Sequence, residues 1–227
     1  MVALGGQKAC LMVLLDLSAA FDTVDHRQLL STLSDLGVKS SALKWMTSYL
    51  SDRQQIVCLG KDSSDPQTLE CGVPQGLVLG PVLFTVYTSS LGQLLRSQDM
   101  DYHFYADDSS LYLMFHPNDI SITVHRLEKC IASVRQWMSH KCLKMNDSKT
   151  EVLLISSKHL ARKIECPSII IGDHQVEPSD MAKSIGVIMD KHASMEDHIT
   201  SVVGLLSTIS TTSEGYENTS PEKPQSS

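Results

Sequence analysis

Glycine and proline are scarce in this 227-residue chain, 12 and 8 residues, which excludes a collagen-like or wholly disordered polypeptide. No apolar run approaches the roughly 18 residues that a spanning helix needs, so a membrane protein is not expected. None of the six cysteines, at positions 10, 58, 71, 130, 142 and 166, forms a CxxC pair. A zinc knuckle or a disulfide framework is therefore disfavoured, and reduced thiols inside the cell, in nucleus or cytoplasm, are expected. Aromatic residues make up only 5% of the chain. Positive charge is also in deficit: 19 Lys and Arg stand against 26 Asp and Glu, a net charge of −7, which argues against a stand-alone nucleic-acid binder.

What is present is unevenly spread. Residues 1–125 carry 7 basic and 13 acidic groups, residues 126–163 carry 9 and 3, and residues 164–227 carry 3 and 10. An acidic first half facing a basic middle fits a site that holds cations and meets a polyanion. Arg126, Lys129, Arg135, Lys141 and Lys144 would then neutralise a phosphate backbone without base readout, since few aromatics interleave them. A merely solvated basic helix is the plainer reading. The start of the chain imitates a secretory signal, with Lys8 before the apolar run Ala9–Leu15, but Asp16 interrupts the run early, so secretion is not expected.

The patterning reads as alternating strands and helices. Cys10–Leu15 suits a strand buried on both faces; Asp25–Leu36, Ser41–Leu50, Val82–Leu95 and Asn118–Lys141 have helical apolar spacing. Arg53–Leu59 and Thr68–Cys71 read as short strands around a turn-rich stretch, and residues 72–76 as a loop. Tyr102–Tyr105 and Ser110–Phe115 flank Ala106-Asp107-Asp108-Ser109, the pattern of a hairpin with an acidic tip. Strands are expected at Glu151–Ile155, Ile169–Ile171 and Lys183–Met189, and a last helix at Ser194–Leu206. Residues 208–227 are Ser, Thr, Pro and Glu-rich with almost no apolar residue, a disordered tail.

Three carboxylates stand at strand ends or turns: Asp16, Asp107 and Asp108. A carboxylate ending an apolar strand is poorly solvated and needs a cation or a hydrogen-bond donor. Were the strands neighbours, oxygen donors without His or Cys would favour Mg²⁺ or Mn²⁺ over zinc, although Asp pairs in turns are common for their own sake.

The segments LLDLSAAFDTVDH (14–26), GVPQGLVLGPVLF (72–84), FYADDSSLY (104–112), LKMNDSKTEVLL (143–154) and SIGVIMD (184–190) occur in that order. Together they resemble the reverse transcriptase domain of non-LTR (LINE-type) retrotransposons, over roughly residues 9–206. The resemblance implies an α/β (α+β) polymerase palm, an antiparallel ferredoxin-like sheet with helices packed on one face, spanning residues 1–207. It implies RNA-directed DNA polymerase chemistry, with an RNA template, a DNA primer and deoxynucleoside triphosphates as partners and Mg²⁺ or Mn²⁺ as cofactor. By the same resemblance Asp16, Asp107 and Asp108 would hold the metal. Phe21 would exclude a 2′-hydroxyl, Gln75 and Gly76 would contact nucleotide and template, Tyr105 would pack beside the primer end, and Lys149 would face the leaving pyrophosphate. Each has a plainer reading: Phe21 as core, Gln75 and Gly76 as turn residues, and Lys149 as a solvated lysine.

The chain also departs from the pattern. Only 15 residues precede Asp16, with Lys8 their one basic group, where the family carries a fingers region; Leu77 stands where the family usually has Ser. The thumb pattern fades after Leu206, and no endonuclease segment is present. A palm lacking fingers and thumb, inactive as an isolated fragment, is therefore expected. The alternative is a non-catalytic retroelement remnant that serves at most as a weak nucleic-acid or protein interaction module.

Overall fold

The computed structural model describes residues 7–74, 76 and 78–204. Gln75, Leu77 and the 208–227 tail lie outside the described residues. Four antiparallel strands form the central sheet, in the order Glu151–Ile155, Ala9–Leu15, Asp108–Phe115, Asp101–Tyr105. Numbered along the chain, that order is fourth, first, third, second, with helices in the two long crossings, which is the ferredoxin-like arrangement. The middle strand Ala9–Leu15 is apolar throughout because both of its faces are covered. Ala9, Leu11 and Val13 enter the main core with the helices, while Cys10 and Leu14 face a smaller cluster with Leu153, Ile155 and Ala182.

Four helices follow from local sequence: α1 (His26–Asp35), α2 (Ser40–Leu50), α3 (Leu79–Ser97) and α4 (Ile120–His140). Asp25 caps α1, its carboxylate accepting from the Gln28 N–H at 2.8 Å. At the other end Gly37, with φ of 95°, donates to Ser34 and lets Val38 donate to Leu33, the Schellman closure that only a residue tolerant of positive φ makes readily. Helix α3 buries Leu83, Phe84, Tyr87, Leu91 and Leu95, and α4 buries Val124, Leu127, Ile131, Val134 and Met138. The Tyr87 hydroxyl donates to the Lys141 carbonyl at the end of α4, so the two long helices are fastened at one point.

Two expectations change. In place of the two strands Arg53–Leu59 and Thr68–Cys71 there are two-residue ladders, Gln54–Gln55 with Gln67–Thr68 and Cys58–Leu59 with Asp62–Ser63. The segment 53–69 is exposed nearly throughout, so no buried face extends the pairing. Lys183–Met189 is not one strand but a hairpin, Met181–Ser184 against Val187–Asp190. Ile185 and Gly186 both take positive φ at its two-residue turn, the type I′ pattern. Among the described residues, three of the nine basic groups of 126–163 have a charged or aromatic partner within the fold. Arg126 pairs with Asp99 at 3.4 Å, Arg135 with Asp147 at 2.6 Å, and the Lys141 ammonium lies 5.0 Å from the Tyr87 ring centre. Among the described residues no helix is long and apolar enough to cross a membrane.

Gly80, in the first turn of α3, lies against the Pro74 carbonyl oxygen, and a Cβ there would collide with it. In an open helix Gly→Ala gains up to about 1 kcal/mol. Here Gly80→Ala should instead cost about 1–3 kcal/mol through overpacking against rigid backbone. A fall in the urea midpoint at unchanged slope is the expected result.

Candidate active site

The pairing of Ala9–Leu15 with Asp108–Phe115 sets the site. Its last rung joins Leu15 to Ser109, so the next residues on each side, Asp16 and Asp108, face one another. The hairpin turn places Asp107 beside them: Tyr105 pairs with Asp108, leaving Ala106 and Asp107 as the two turn residues. Only Ala106 of the two has positive φ, 54°, the II′ pattern, held by an L-residue where glycine would be easier. Asp108 stays exposed as a residue, yet partial burial of its carboxyl raises its pKa. The negative charges of Asp107 and then Asp16 raise it further.

A cleft of about 360 Å³ opens over these groups, lined by Asp16, Asp108, Ser109, Ser110, Ser148, Lys149, Glu151 and Lys183 among others. Lys149 comes from the 3₁₀ turn Asp147–Lys149, which three contacts hold, two to the residues just after the first strand and one to α4. The Asn146 N–H donates to the Asp16 carbonyl at 2.8 Å, Leu17 pairs with Met145, and Arg135 grips Asp147. The structure thus brings together Asp16, Asp108 and Lys149, with Asp107 at the adjoining turn. Glu151 and Lys183 were not singled out from the sequence. Glu151 opens a strand paired with Leu14, and that pairing, not any local motif, brings it to the cleft.

Phe21, Gly76 and Tyr105 are not among the residues that line this cleft. The half-buried Phe21 ring stacks on Phe84 at 4.8 Å, and its carbonyl accepts from the Val73 N–H at 2.8 Å. Phe21 is therefore tied to the loop at 72–74. Gly72 makes the close approach possible, since with φ of 89° a Cβ there would stand 3.0 Å from the Asp22 carbonyl oxygen. Gly76 is exposed, with φ of 75°. Tyr105 is 60% exposed at the end of its strand.

The donor set at Asp16, Asp107 and Asp108 is oxygen only, which suits a hard divalent cation. Among the described residues no salt bridge neutralises these three carboxylates. Nor are three His, Cys, Asp or Glu groups gathered there closely enough to hold a metal ion by themselves. The arrangement fits a site whose coordination is completed by substrate oxygens, as phosphoryl-transfer ions commonly require.

Sheet order, hairpin carboxylates and cleft together define a polymerase palm. The chain belongs to the reverse transcriptase (RNA-dependent DNA polymerase) family, whose sequence model matches residues 3–189. It is 29% identical over 202 residues to the probable RNA-directed DNA polymerase from transposon BS of Drosophila melanogaster, covering 87% of this chain and 22% of that protein. It is 25% identical over 193 residues to the RNA-directed DNA polymerase from mobile element jockey of the same fly, covering 83% and 20%. Both relatives belong to mobile elements, in keeping with the LINE-type resemblance. The chain thus spans about a fifth of the length of these relatives. In fold it is similar to a Candida tropicalis telomerase solved with a fragment of telomeric RNA, at a TM-score of 0.56 and 13% identity, covering 85% of this chain and 30% of that one. Reverse transcriptases as a family use divalent metal ions.

The raised pKa of Asp108 carries a stability consequence with a definite sign. A carboxyl raised above its unfolded value costs stability as pH rises from the ordinary carboxylate range through the folded value. Asp108→Asn should therefore stabilise the fold at neutral pH, and the gain should vanish at pH below the ordinary carboxylate value. Asp16→Asn should lower the Asp108 pKa, read by carbon-detected NMR titration of the side-chain carboxyl; an unmoved Asp108 would contradict the placement of the two groups.

Proposed function

We propose that this chain carries the catalytic centre of RNA-templated DNA synthesis. The observation behind this reading is the facing pair Asp16 and Asp108, next to Asp107, with no salt bridge to any of the three among the described residues. In the reaction a primer 3′-oxygen attacks the α-phosphorus of a deoxynucleoside triphosphate. A new P–O bond forms, the bond to the β-phosphate's bridging oxygen breaks, and pyrophosphate leaves. Asp16, Asp107 and Asp108 would hold divalent ions, magnesium or manganese, which supply charge stabilisation and activate the attacking oxygen. Lys149, in the same cleft, is placed to protonate or neutralise the departing pyrophosphate. Phe21, braced by Phe84 and the 72–74 loop, would act on the sugar from the side, with Gln75 and Gly76 toward the template strand and Tyr105 beside the primer end. The six cysteines are unpaired, in keeping with an intracellular setting.

A second reading, a palm that keeps its fold without turnover, is favoured by one observation: among the described residues no three His, Cys, Asp or Glu side chains are gathered closely enough to hold a metal ion. Metal titration and primer extension separate the two. Manganese binding followed by calorimetry should be lost in Asp16→Asn/Asp107→Asn. The 227-residue chain spans a fifth of its relatives' length, and phosphoryl transfer depends mostly on positioning. Processive extension of a primed RNA is therefore expected only when the chain is joined to the remaining segments of a relative, and should fall at least about a hundredfold in Asp107→Asn. Metal binding without extension in that joined protein would favour the second reading; unaltered metal binding in the double variant would overturn the first.

A further inference from the structure

Helix α2 carries Trp45 and Tyr49 one turn apart on one side, and Arg53, three residues beyond its end, folds back over the Tyr49 ring. The two rings stack with 5.5 Å between centroids and 15° between planes. The Arg53 guanidinium carbon lies 5.9 Å from the centre of the Tyr49 ring. Tyr49 is half-buried and its hydroxyl is turned inward, whereas Trp45 is 54% exposed. The core therefore fixes the Tyr49 ring, and the tryptophan extends the stack outward into solvent.

Charge and position point to the occupant. Residues 39–53 carry Lys39, Lys44 and Arg53 against one acid, Asp52, inside a half of the chain that is otherwise strongly acidic. Arg53 also borders a second cleft, of about 640 Å³, together with Gln54, Gln55, Val73 and Pro74. The ladder thus runs from solvent to the same 72–74 loop that braces Phe21. A flat ring with cations on its flanks and a path to that loop suits one chemistry: an unpaired nucleobase carried on a phosphate backbone.

We propose that Trp45, Tyr49 and Arg53 form a stacking platform for an unpaired base of single-stranded nucleic acid on its way to the 72–74 loop. The inference rests on the nucleic-acid reading above. Contact of this kind is sequence-tolerant, because every base has a π-face, and it is less salt-sensitive than phosphate neutralisation.

Short oligouridylate and oligothymidylate, labelled for anisotropy, test the platform. In a Trp137→Phe background Trp45 is the sole tryptophan, and its emission should be quenched saturably by either oligonucleotide. Trp45→Leu should weaken binding about tenfold or more at unchanged circular dichroism, while Trp45→Phe and Tyr49→Phe, which keep the rings, should retain most of it. Equal affinity of the wild type and Trp45→Leu, or binding without quenching, would overturn the platform and leave the polymerase reading standing. No binding of oligonucleotide by the wild type would also overturn it, and no binding of a primed template in addition would bring down the polymerase reading.

Discussion

The ladder between Ala9–Leu15 and Asp108–Phe115 is the constraint on which the rest of the site depends. Side chains alternate with a period of two, so a slip of one residue would turn Leu11 and Val13 away from the main core. The same slip would move Asp16 off Asp108. Burial of ordinary aliphatic side chains therefore fixes the register, and the register fixes the distance between two carboxylates. No polar interaction between the strands is required to hold the acidic groups together, which matters because they repel.

That repulsion is tolerated because the neighbouring attachments are independent of it. The loop carrying Lys149 is held by its own backbone bond to Asp16 and by the Arg135–Asp147 pair, half-buried on the Arg side and more buried on the Asp side. Gly172, with φ of 61°, leaves room for the Arg135 guanidinium, since a Cβ there would stand within 2.8 Å of its central carbon. The hairpin Met181–Asp190 is closed by Asp190. Burial would raise the pKa of that carboxyl, but hydrogen bonds from His192, Ser194 and Met195 hold it below its ordinary value. Asp190 and Asp108 are both acids ending or beginning strands, and donors decide their different fates. One is satisfied by donors of the fold itself, whereas the charge of the other is opposed by burial and by its acidic neighbours.

Much of this was legible in the sequence, for physical reasons that differ by element. The first strand and the caps of α1 are local: a continuous apolar run, an Asp before the first turn and a Gly after the last. The acidic hairpin was legible because a two-residue turn must sit between its alternating strands. The 181–190 hairpin was misread because Val187, Ile188 and Met189 continue the apolar pattern across Gly186, and the positive φ of Ile185 and Gly186 that breaks it is not written in that pattern. Glu151 and Lys183 escaped notice because nothing local marks them. They reach the cleft through pairing with a strand and a hairpin far away in the chain, and no window of sequence contains that information. In the basic middle the charges were visible, but Asp99, Asp147 and Tyr87, the partners of Arg126, Arg135 and Lys141, were not.

An acidic palm that meets nucleic acid has to solve an electrostatic problem. With a net charge of −7, and with Arg126, Arg135 and Lys141 of its densest basic segment in internal contacts, this chain would gain less from releasing counterions off a phosphate backbone than a basic one. Two contributions that do not rely on surplus positive charge remain. On the proposed reading, cations held by Asp16, Asp107 and Asp108 would reverse the sign of the field where a triphosphate would lie. The Trp45 ring, stacked on the half-buried Tyr49, would attract bases through its face whatever the overall charge. The two would be complementary: the first would act at a fixed point and carry the chemistry, and the second would be indifferent to sequence and let a strand advance. A fold that held its template by charge alone would have to surround these carboxylates with lysine and arginine, and such partners would neutralise the very groups that the ions need.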